Sequence, residues 1–280
     1  MLIRCWGSRG SIPVSGGEYL KYGGDTTCLE IRTLSGDIII VDAGTGIRRL
    51  GNELIKEGRY QYNFLLTHGH WDHLMGFPYF KPLFLEHPEI RMHRGPFHKK
   101  FMESMFSKVM APPNFPVRYS DLKARIVYEE GNPEKFQIGS ATVIPIQISH
   151  PNTGKGYKFI DGDGKIFVFL TDNELGFVHP GGLPAAAYHE FCRDADLLIH
   201  DAEYTPREYK LLIEWGHSSY EDVLDLAFQS GVKKLGLFHL NQERTDDEVD
   251  ELVEACRKII EQRGHKLACF AVGQDMTFAL

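Results

Sequence analysis

Short apolar runs recur along the chain, and most of them end at a polar or charged residue. Their length and their content of Val, Ile, Leu and Phe predict buried strands. Two tight polar reversals, at Ser35-Gly36 and at residues 161–164, predict hairpins between neighbouring strands. The predicted strands are residues 2–6, 26–33, 37–42, 63–67, 141–149, 157–161, 165–171, 196–200, 235–239, 267–272 and 275–279.

Helical periodicity is clearest near the C-terminus, where apolar side chains recur at intervals of about three and four residues. The pattern predicts a helix over residues 245–263, in which Thr245 and Glu248 form a capping box and Gly264 follows the last turn. A second helix is predicted from about residue 219 to just before Gly231. Strands interspersed with helices indicate an α/β or α+β fold.

Composition changes this picture little. The chain has 280 residues, of which 42% are hydrophobic and 25% are charged, and no Ser, Pro or Gly tract divides it. We therefore predict one domain over residues 1–280. The five cysteines are odd in number and contain no C-x-x-C pair, which disfavours a disulfide framework and a four-cysteine zinc site. We expect them to be reduced core residues.

The N-terminal residues lack the apolar segment of a signal peptide, and no run approaches the roughly 20 apolar residues of a membrane span. We therefore expect a cytoplasmic protein without a membrane partner. The formal net charge of −7 argues against a surface that tracks a long nucleic acid. A lone basic stretch is more typical of a solvated helix face than of a phosphate site. It comprises Arg91, Arg94, His98, Lys99 and Lys100.

The densest polar cluster comes directly after the apolar run at residues 64–66. It contains His68, His70, Asp72 and His73. Imidazole nitrogens and carboxylate oxygens are typical zinc ligands, and clustered protonated histidines would otherwise repel one another. His68 and His70 point the same way on an extended segment, whereas the other two fall on the following turn. The spacing suits two neighbouring metal ions; a solvated polar loop is the alternative.

Further imidazole and acidic side chains follow other predicted strands. His150, Asp172 and His239 each stand just past an apolar run, and His200-Asp201 lies at the end of another. If these strands end at one edge of neighbouring sheets, their side chains converge on the first cluster.

This order of ligands resembles the metallo-β-lactamase superfamily over nearly the whole chain. The resemblance implies a four-layer αβ/βα sandwich with two mixed β-sheets face to face and helices outside. It also implies two divalent metal ions, of which zinc is expected and manganese or iron are alternatives. The implied ligands are His68, His70 and His150 for one ion, Asp72, His73 and His239 for the other, and Asp172 as the bridge.

Four further segments resemble the branch that contains cyclic-nucleotide phosphodiesterases and relatives of ribonuclease Z. They are residues 6–13, 22–28, 200–204 and 215–219. The branch usually has Asn at the position of Asp25 and Thr at the position of Ser219. Neither departure affects an implied ligand, although Asp25 can alter nearby hydrogen bonds.

The same resemblance suggests the catalytic groups. His217 is predicted to protonate the leaving group, with Asp201 orienting its imidazole and Glu203 as the substitute partner. A histidine that caps or packs is the alternative. Asp72 is also predicted to accept a hydrogen bond from the nucleophile. His200 is either a structural hydrogen-bonding residue or a support for the site.

Together these features predict a dinuclear phosphodiesterase that hydrolyses a small phosphodiester or nucleotide, above all a cyclic nucleotide, through a metal-bound hydroxide. Three other hypotheses remain: a ribonuclease Z-like tRNA 3′ processing endonuclease, a carboxylic ester, thioester or lactone hydrolase, and a non-catalytic nucleotide sensor. The chain lacks the long basic, Gly-rich arm that would favour tRNA.

Some positions allow two interpretations. Asp42 supports a metal-binding histidine or caps a helix, and Arg9 and Ser11 contact a phosphate or simply form a turn. The apolar insertion at about residues 80–120 is a lid, a dimer contact or an ordinary helix packed on the core. A homodimer is implied by the resemblance alone.

Overall fold

The strands form two seven-stranded sheets in the computed structural model, which describes residues 1–93, 95, 98–129, 131 and 133–280. In chain order they are β1 (Leu2–Gly7), β2 (Cys28–Arg32), β3 (Ile38–Val41), β4 (Gln61–Leu65), β5 (Glu89–Met92), β6 (Arg125–Tyr128), β7 (Phe136–Ile138), β8 (Ala141–Gln147), β9 (Lys155–Ile160), β10 (Ile166–Leu170), β11 (Leu197–Asp201), β12 (Lys234–Phe238), β13 (Ala268–Ala271) and β14 (Thr277–Ala279).

The order of the strands is β14-β1-β2-β3-β4-β5-β6 in the first sheet and β13-β12-β11-β10-β9-β8-β7 in the second. Strands β3 to β6 are parallel to one another, and so are β10 to β13. The remaining pairs are antiparallel. Both sheets are therefore mixed, and each brings the carboxyl ends of several strands to one edge.

The α-helices cover the outer faces of the sheets. They are α1 (Ile47–Lys56), α2 (Lys99–Val109), α3 (Ala185–Phe191), α4 (Pro206–Tyr209), α5 (Tyr220–Gln229) and α6 (Asp246–Gln262). Apolar residues of α1 and α2 pack in one buried cluster with outward-facing residues of the first sheet. Those of α3, α5 and α6 pack with the outward face of the second sheet.

Alternation along each strand generates the four layers. Ile39 of β3 and Phe167 of β10 point into a central cluster between the sheets, whereas Ile40 and Val168 point towards the helices. Successive side chains face opposite sides of a strand, so one apolar run serves two layers. The predicted four-layer sandwich with two mixed sheets is confirmed.

All the strands that the apolar runs predict are present, with ends within two residues of the prediction. The sequence did not reveal β5, β6 and β7, which are short and carry polar residues such as Glu89, Arg91 and Gln137. It also did not reveal α1, α3 and α4. A strand of three or four residues alternates polar and apolar side chains over too few positions to give a clear signal.

The predicted C-terminal helix is α6. The Thr245 hydroxyl accepts a hydrogen bond from Glu248 N–H, and the Glu248 carboxylate accepts one from Thr245 N–H at 2.8 Å, which together form the capping box. Ser219 caps α5, because its side chain accepts a hydrogen bond from Asp222 N–H. Both predicted helices therefore begin at their capping residues.

The insertion at residues 80–120 contributes α2, whose buried Met102 and Phe106 join the cluster outside the first sheet. The Phe106 and Phe77 rings stack with centroids 3.9 Å apart. Arg94 of the basic stretch and the apolar Phe97 lie outside the described residues. A role of this insertion as a lid or a dimer contact stays a prediction.

The five cysteines are buried and free. Across the described ranges, no helix combines the length and apolar character needed to cross a membrane.

The central layer should dominate stability. Phe169 is fully buried and meets Phe238 edge to face at 5.3 Å. Phe169→Ala should lower the free energy of unfolding by about 3–5 kcal/mol, because the side chain leaves a cavity between two sheets. Chemical denaturation provides the measurement. Leu34→Ala is the control, since Leu34 is 58% exposed and its truncation should change stability by less than about 0.5 kcal/mol. Equal losses in both variants would contradict this assignment of the core.

Candidate metal centre

The ends of five strands deliver polar side chains to one place. Asp42 directly follows β3 and His239 directly follows β12, while His68, His150 and Asp172 come two or three residues after β4, β8 and β10. All five side chains are almost fully buried. The convergence that the sequence predicts at one edge is therefore present.

The chain turns sharply where these side chains leave the strands. Asp42, Asp172 and His239 have φ values of 62°, 53° and 55°, which place three non-glycine residues in the left-handed region. This conformation is uncommon for such residues and costs free energy. Strained backbone thus accompanies three of the side chains that converge here.

One group of four donors comprises His68, His70, His150 and Asp172, whose ligand atoms lie within 4.8 Å of one another. His70 Nδ1 is 3.1 Å from His150 Nε2. Asp172 Oδ2 is 3.5 Å from His68 Nε2 and 3.8 Å from His150 Nε2. These spacings are those of donors that surround a small cation.

A second group comprises Asp72, His73 and His239. Asp72 Oδ2 is 3.3 Å from His73 Nε2 and 3.2 Å from His239 Nε2. Asp172 faces this group as well, because its Oδ1 is 3.3 Å from His73 Nε2 and its Oδ2 is 3.4 Å from His239 Nε2. Asp172 therefore lies between the two groups.

The surroundings of two nitrogen atoms show whether these residues fit a metal ion. His68 Nε2 and His73 Nε2 are buried and form no hydrogen bond. A buried polar atom without a partner is costly, and both atoms face the carboxylate of Asp172. Nitrogen and carboxylate donors gathered in this way suit divalent metal ions, and the site fits them.

Hydrogen bonds behind the histidines fix the rings. His73 Nδ1 lies 2.8 Å from Asp42 Oδ2, and His239 Nδ1 lies 2.8 Å from Glu203 Oε2. His150 Nδ1–H donates to the Gly216 carbonyl at 2.9 Å. Each contact uses Nδ1 and leaves Nε2 directed at the centre, as in protein metal sites. Asp42 thus supports a histidine rather than capping α1, whose N-cap is Gly46.

The imidazoles of the site differ in the direction in which their pKa is shifted. Burial lowers the pKa of His68 well below its usual value and lowers the pKa of His150 to about 3. Burial also acts to lower the pKa of His73, but Asp72 and Asp172 outweigh it and raise that pKa. His68 and His150 are therefore neutral donors. The proton on His73 balances the negative charge of Asp72 and Asp172. A bound cation can balance that charge instead.

His217 stands beside the centre with its own acidic partner. His217 Nδ1 is 3.2 Å from Asp201 Oδ2 and 3.5 Å from Glu203 Oε2. Burial acts to lower the pKa of His217, but Glu203 and Asp201 outweigh burial and raise it to about 9. Its ring stacks on that of His239 at 4.5 Å. The predicted proton donor and its orienting carboxylate are therefore in contact and next to the predicted ligands.

Comparison with known proteins agrees with this geometry. The family model described as "Beta-lactamase superfamily domain" matches residues 38–240. The chain belongs to this family. The prediction of a metal-dependent hydrolase of the metallo-β-lactamase superfamily is confirmed.

One curated relative is "Ribonuclease Z" of Staphylococcus haemolyticus, which is 24% identical and matches over 76% of this chain and 81% of its own length. Among solved structures, the metallo-beta-lactamase fold protein YhfI from Bacillus subtilis has a TM-score of 0.69 at 15% identity, with coverage of 99% of this chain and 98% of that chain. Unliganded yeast PDE1 has a TM-score of 0.68 at 15% identity, with coverage of 100% and 99%. A diphosphatase from the PhnP family has a TM-score of 0.68 at 16% identity, with coverage of 100% and 97%. At these identities the solved structures show the fold.

Two further residues that the sequence analysis named, Arg9 and His200, are buried and form hydrogen bonds. The Arg9 guanidinium is fully buried and donates to the carbonyls of Gly23, Asn241 and Arg244, so it ties loops together instead of facing a phosphate. His200 Nδ1–H donates to the Asp201 carbonyl at 2.7 Å. His200 Nε2 also lies 3.1 Å from Nδ2 of Asn173, the residue after Asp172, so both interpretations of His200, a structural hydrogen-bonding residue and a support for the site, stay open.

Ser11 and Asp25 lie near the site in different ways. Ser11 N–H donates to Asp72 Oδ2 at 2.9 Å and so holds a predicted ligand. The Asp25 carboxylate accepts hydrogen bonds from Thr45 Oγ1 at 2.8 Å and from Gln274 Nε2 at 3.0 Å. Asp25 therefore fixes loops and does not reach the predicted ligands through either bond.

Glu174 is a site residue that the sequence did not reveal. Its buried carboxylate accepts hydrogen bonds from Tyr209 OH at 2.8 Å, Glu214 N–H at 2.9 Å and Gly216 N–H at 2.8 Å. It also lies 2.7 Å from His179 Nε2. One carboxylate thus holds the segment that carries Gly216 and His217. Only its position two residues after Asp172 hinted at such a role.

Gly216 is required where this segment meets His150. Its φ of +92° is a conformation that side chains disfavour, and a Cβ atom there would lie 2.1 Å from His150 Nδ1. The carbonyl of Gly216 can therefore reach the histidine only because the residue has no side chain.

Replacing Glu174 should weaken metal binding through this chain of contacts. Glu174→Gln replaces one carboxylate oxygen with an amide NH₂ group, which cannot accept the hydrogen bonds that O–H and N–H groups donate to Glu174. Gly216 should then withdraw its carbonyl from His150. Divalent-metal affinity should fall by about 10–100-fold. Competition with a chelator of known affinity measures the change.

Tyr209→Phe is the matched control. It removes one hydrogen bond and keeps the carboxylate, and we expect its metal affinity to stay within about threefold of wild type. Thermal unfolding of both variants checks that they are folded. Unchanged metal affinity in folded Glu174→Gln would exclude the positioning role.

Proposed function

We propose that this protein is a dinuclear metal-dependent phosphodiesterase that hydrolyses a small phosphodiester, above all a cyclic nucleotide. The observation that carries the proposal is the convergence of seven nitrogen and carboxylate donors beside the His217–Asp201 pair. The donors alone suit several hydrolytic reactions. A protonated imidazole at their edge suits a reaction in which a poor leaving group must receive a proton.

We assign one metal ion to His68, His70 and His150 and the other to Asp72, His73 and His239. The position of Asp172, within 3.8 Å of a nitrogen in each set, supports its assignment as the bridging ligand. We expect zinc, because histidine nitrogen and carboxylate oxygen are its usual ligands, and manganese or iron are the alternatives.

Metal ions held there would supply a water of lowered pKa and positive charge for the phosphoryl oxygens. The protein's own groups set the geometry. Ser11 N–H holds Asp72, and Asp72 Oδ2 also lies 3.2 Å from His239 Nε2, so the carboxylate is fixed where it can accept a hydrogen bond from the attacking water. Backbone donors of this kind leave little freedom for rearrangement during the reaction.

His217 completes the reaction as the proton donor. Burial acts to lower its pKa, but Glu203 and Asp201 raise it to about 9, so these carboxylates favour the protonated ring. When the bond between phosphorus and the leaving oxygen breaks, that proton passes to the oxygen and the neutral imidazole remains. Asp201 is fixed by the N–H groups of Asn173 and Ser218, at 3.0 and 2.9 Å, so it orients the ring throughout.

Relatives with phosphorus chemistry support this choice over an ester or thioester. Ribonuclease Z and the diphosphatase are named for cleavage of bonds to phosphorus. Carboxylic esters, thioesters and lactones have less need of the His217–Asp201 pair. A non-catalytic sensor has no need of a buried proton donor.

A ribonuclease Z-like tRNA 3′ processing activity is the second candidate. It is favoured by the curated relative of that name, which matches 76% of this chain. The net charge of −7 weighs against it, because RNA binding relies on many phosphate contacts to Lys and Arg. We therefore place it after a small phosphodiester.

Two further features belong to the proposal. Five buried free thiols suit a reducing compartment, which supports a cytoplasmic location. A homodimer stays a prediction that sedimentation or size-exclusion chromatography can test.

A substrate panel tests the proposed function. Zinc- or manganese-loaded protein is incubated with cyclic nucleotides, bis(p-nitrophenyl) phosphate, a precursor tRNA and a thioester. We expect turnover of the small phosphodiesters, loss of activity on chelation and recovery on adding metal. Cleavage of the precursor tRNA alone would favour the second candidate. Turnover of the thioester alone, or of nothing, would refute a phosphodiesterase.

His217→Ala should lower turnover by about 10²–10⁴-fold, because the leaving oxygen loses its proton donor. Bound metal, measured by elemental analysis, should remain near two equivalents. Asp201→Asn should also lower turnover, since the ring loses its charged partner. His87→Ala is the control, because His87 is exposed and belongs to none of the groups that could hold a metal ion. Loss of metal in His217→Ala would instead make His217 a ligand, a role that its position beside Asp172 and His239 also permits.

A further inference from the structure

A groove of about 380 Å³ lies between residues 69–74 and α2. We call it the Trp71 groove. It is lined by Gly69, Trp71, Leu74, Phe101, Ser104, Met105, Lys108, Val109 and Asn114. Its volume lies within the range of about 300–1,000 Å³ that small-molecule sites occupy. The groove is large enough for a planar ring system and too small for a folded partner.

The groove is continuous in sequence with the candidate metal centre. Gly69 lies between His68 and His70, and Trp71 lies between His70 and Asp72. His70 is only partly buried, whereas His68 and Asp72 are buried. The mouth of the centre and the groove therefore share the same short loop. The Cα atom of Trp71 is one residue, about 3.8 Å, from those of His70 and Asp72, so the lining of the groove begins next to the candidate ligands.

Trp71 is far more exposed than the two residues that follow it. Its side chain is 57% exposed, although the adjacent Asp72 is 4% exposed and His73 is fully buried. An exposed indole next to a reaction centre gives up the stabilisation that burial of an aromatic side chain provides. Phe101 is 48% exposed and lines the same groove, so the two rings form a contiguous apolar patch, and such patches mark binding sites.

The lining has the chemistry of a site for an aromatic ring with polar edges. The indole offers a flat face, and Met105 and Leu74 offer apolar contacts. Lys108 is exposed and adds one positive charge, and Ser104 and Asn114 add hydrogen-bonding groups. Nucleobases stack on aromatic side chains and present nitrogen and oxygen atoms at their edges. The alkyl chain of a lipid would find fewer matches for these polar groups.

We propose that the Trp71 groove binds the nucleobase of a substrate whose phosphodiester lies at the metal centre. The proposal rests on the proposed function, and it adds where the base of a nucleotide substrate lies and that Trp71 is a specificity-determining residue. The base stacks on the indole, and Lys108 contacts an acceptor atom of the base or a further phosphate.

Two substrates with the same leaving group isolate the base. Thymidine 5′-(p-nitrophenyl phosphate) and methyl p-nitrophenyl phosphate both release p-nitrophenol, and only the first carries a nucleoside. Trp71→Ala should lower kcat/KM for the thymidine substrate by about 5- to 150-fold, which corresponds to one base stack of about 1–3 kcal/mol. It should leave kcat/KM for the methyl substrate within about twofold. Trp71→Phe keeps a stacking face and should restore part of the loss.

Tyr79→Ala is the matched control. Tyr79 is 56% exposed and lies in the same part of the chain, but it does not line the groove. Both of its kcat/KM values should stay near wild type. An equal loss on both substrates in Trp71→Ala, with metal content unchanged, would mean that Trp71 only shapes the loop and would overturn the proposal.

A binding measurement separates this proposal from the proposed function. Adenosine 5′-monophosphate should quench tryptophan fluorescence in the wild type and in Trp215→Phe, but not in Trp71→Phe, and ribose 5-phosphate should have little effect. If the wild type hydrolyses no phosphodiester but this pattern holds, the proposed function fails and the groove still binds a base. Unchanged quenching in Trp71→Phe refutes the groove as the base site. A change of oligomeric state in Trp71→Ala without loss of quenching would assign the groove to a second copy of this chain.

Discussion

The burial of the Asp172 carboxylate is the constraint on which the site depends. It is 1% exposed and lies within 3.8 Å of nitrogen atoms from four histidines. A carboxylate so far from water is tolerated only where positive charge or hydrogen-bond donors surround it. Strands β4, β8, β10 and β12 must therefore end at matching heights. The parallel strands of the two mixed sheets, the shared direction of β8 and β10, and the turns at left-handed residues achieve this alignment.

Hydrogen bonds behind the histidines fix the geometry of the site. Asp42, Glu203 and the Gly216 carbonyl each engage the Nδ1 atom of one histidine, and Glu174 holds Gly216 in turn. These contacts begin on different strands and loops, so the site is built from the rim of the whole sandwich. These hydrogen bonds orient the rings, which reduces the cost of ordering them when a cation binds.

The sequence predicted what is encoded locally. Apolar runs identified the main strands, and the polar residue after each run identified the converging side chains. Edge strands such as β7 were too short to give a pattern. Glu174 was not predicted because its partners, Glu214 and Gly216, lie about 40 positions away and are recognised through their backbone N–H groups, which leave no mark in the sequence. Asp42 allowed two interpretations until its distance to His73 was known.

The separation of the ligands along the chain has a consequence for biosynthesis. His68, His70, Asp72 and His73 emerge from a ribosome together, but Asp72 meets His239 only across 167 positions. Contacts of such long range form late, after most of the polypeptide has been made and has collapsed. An incomplete nascent chain therefore cannot possess the full set of donors. The complete set of donors is present only after the chain has been made as far as His239 and has folded.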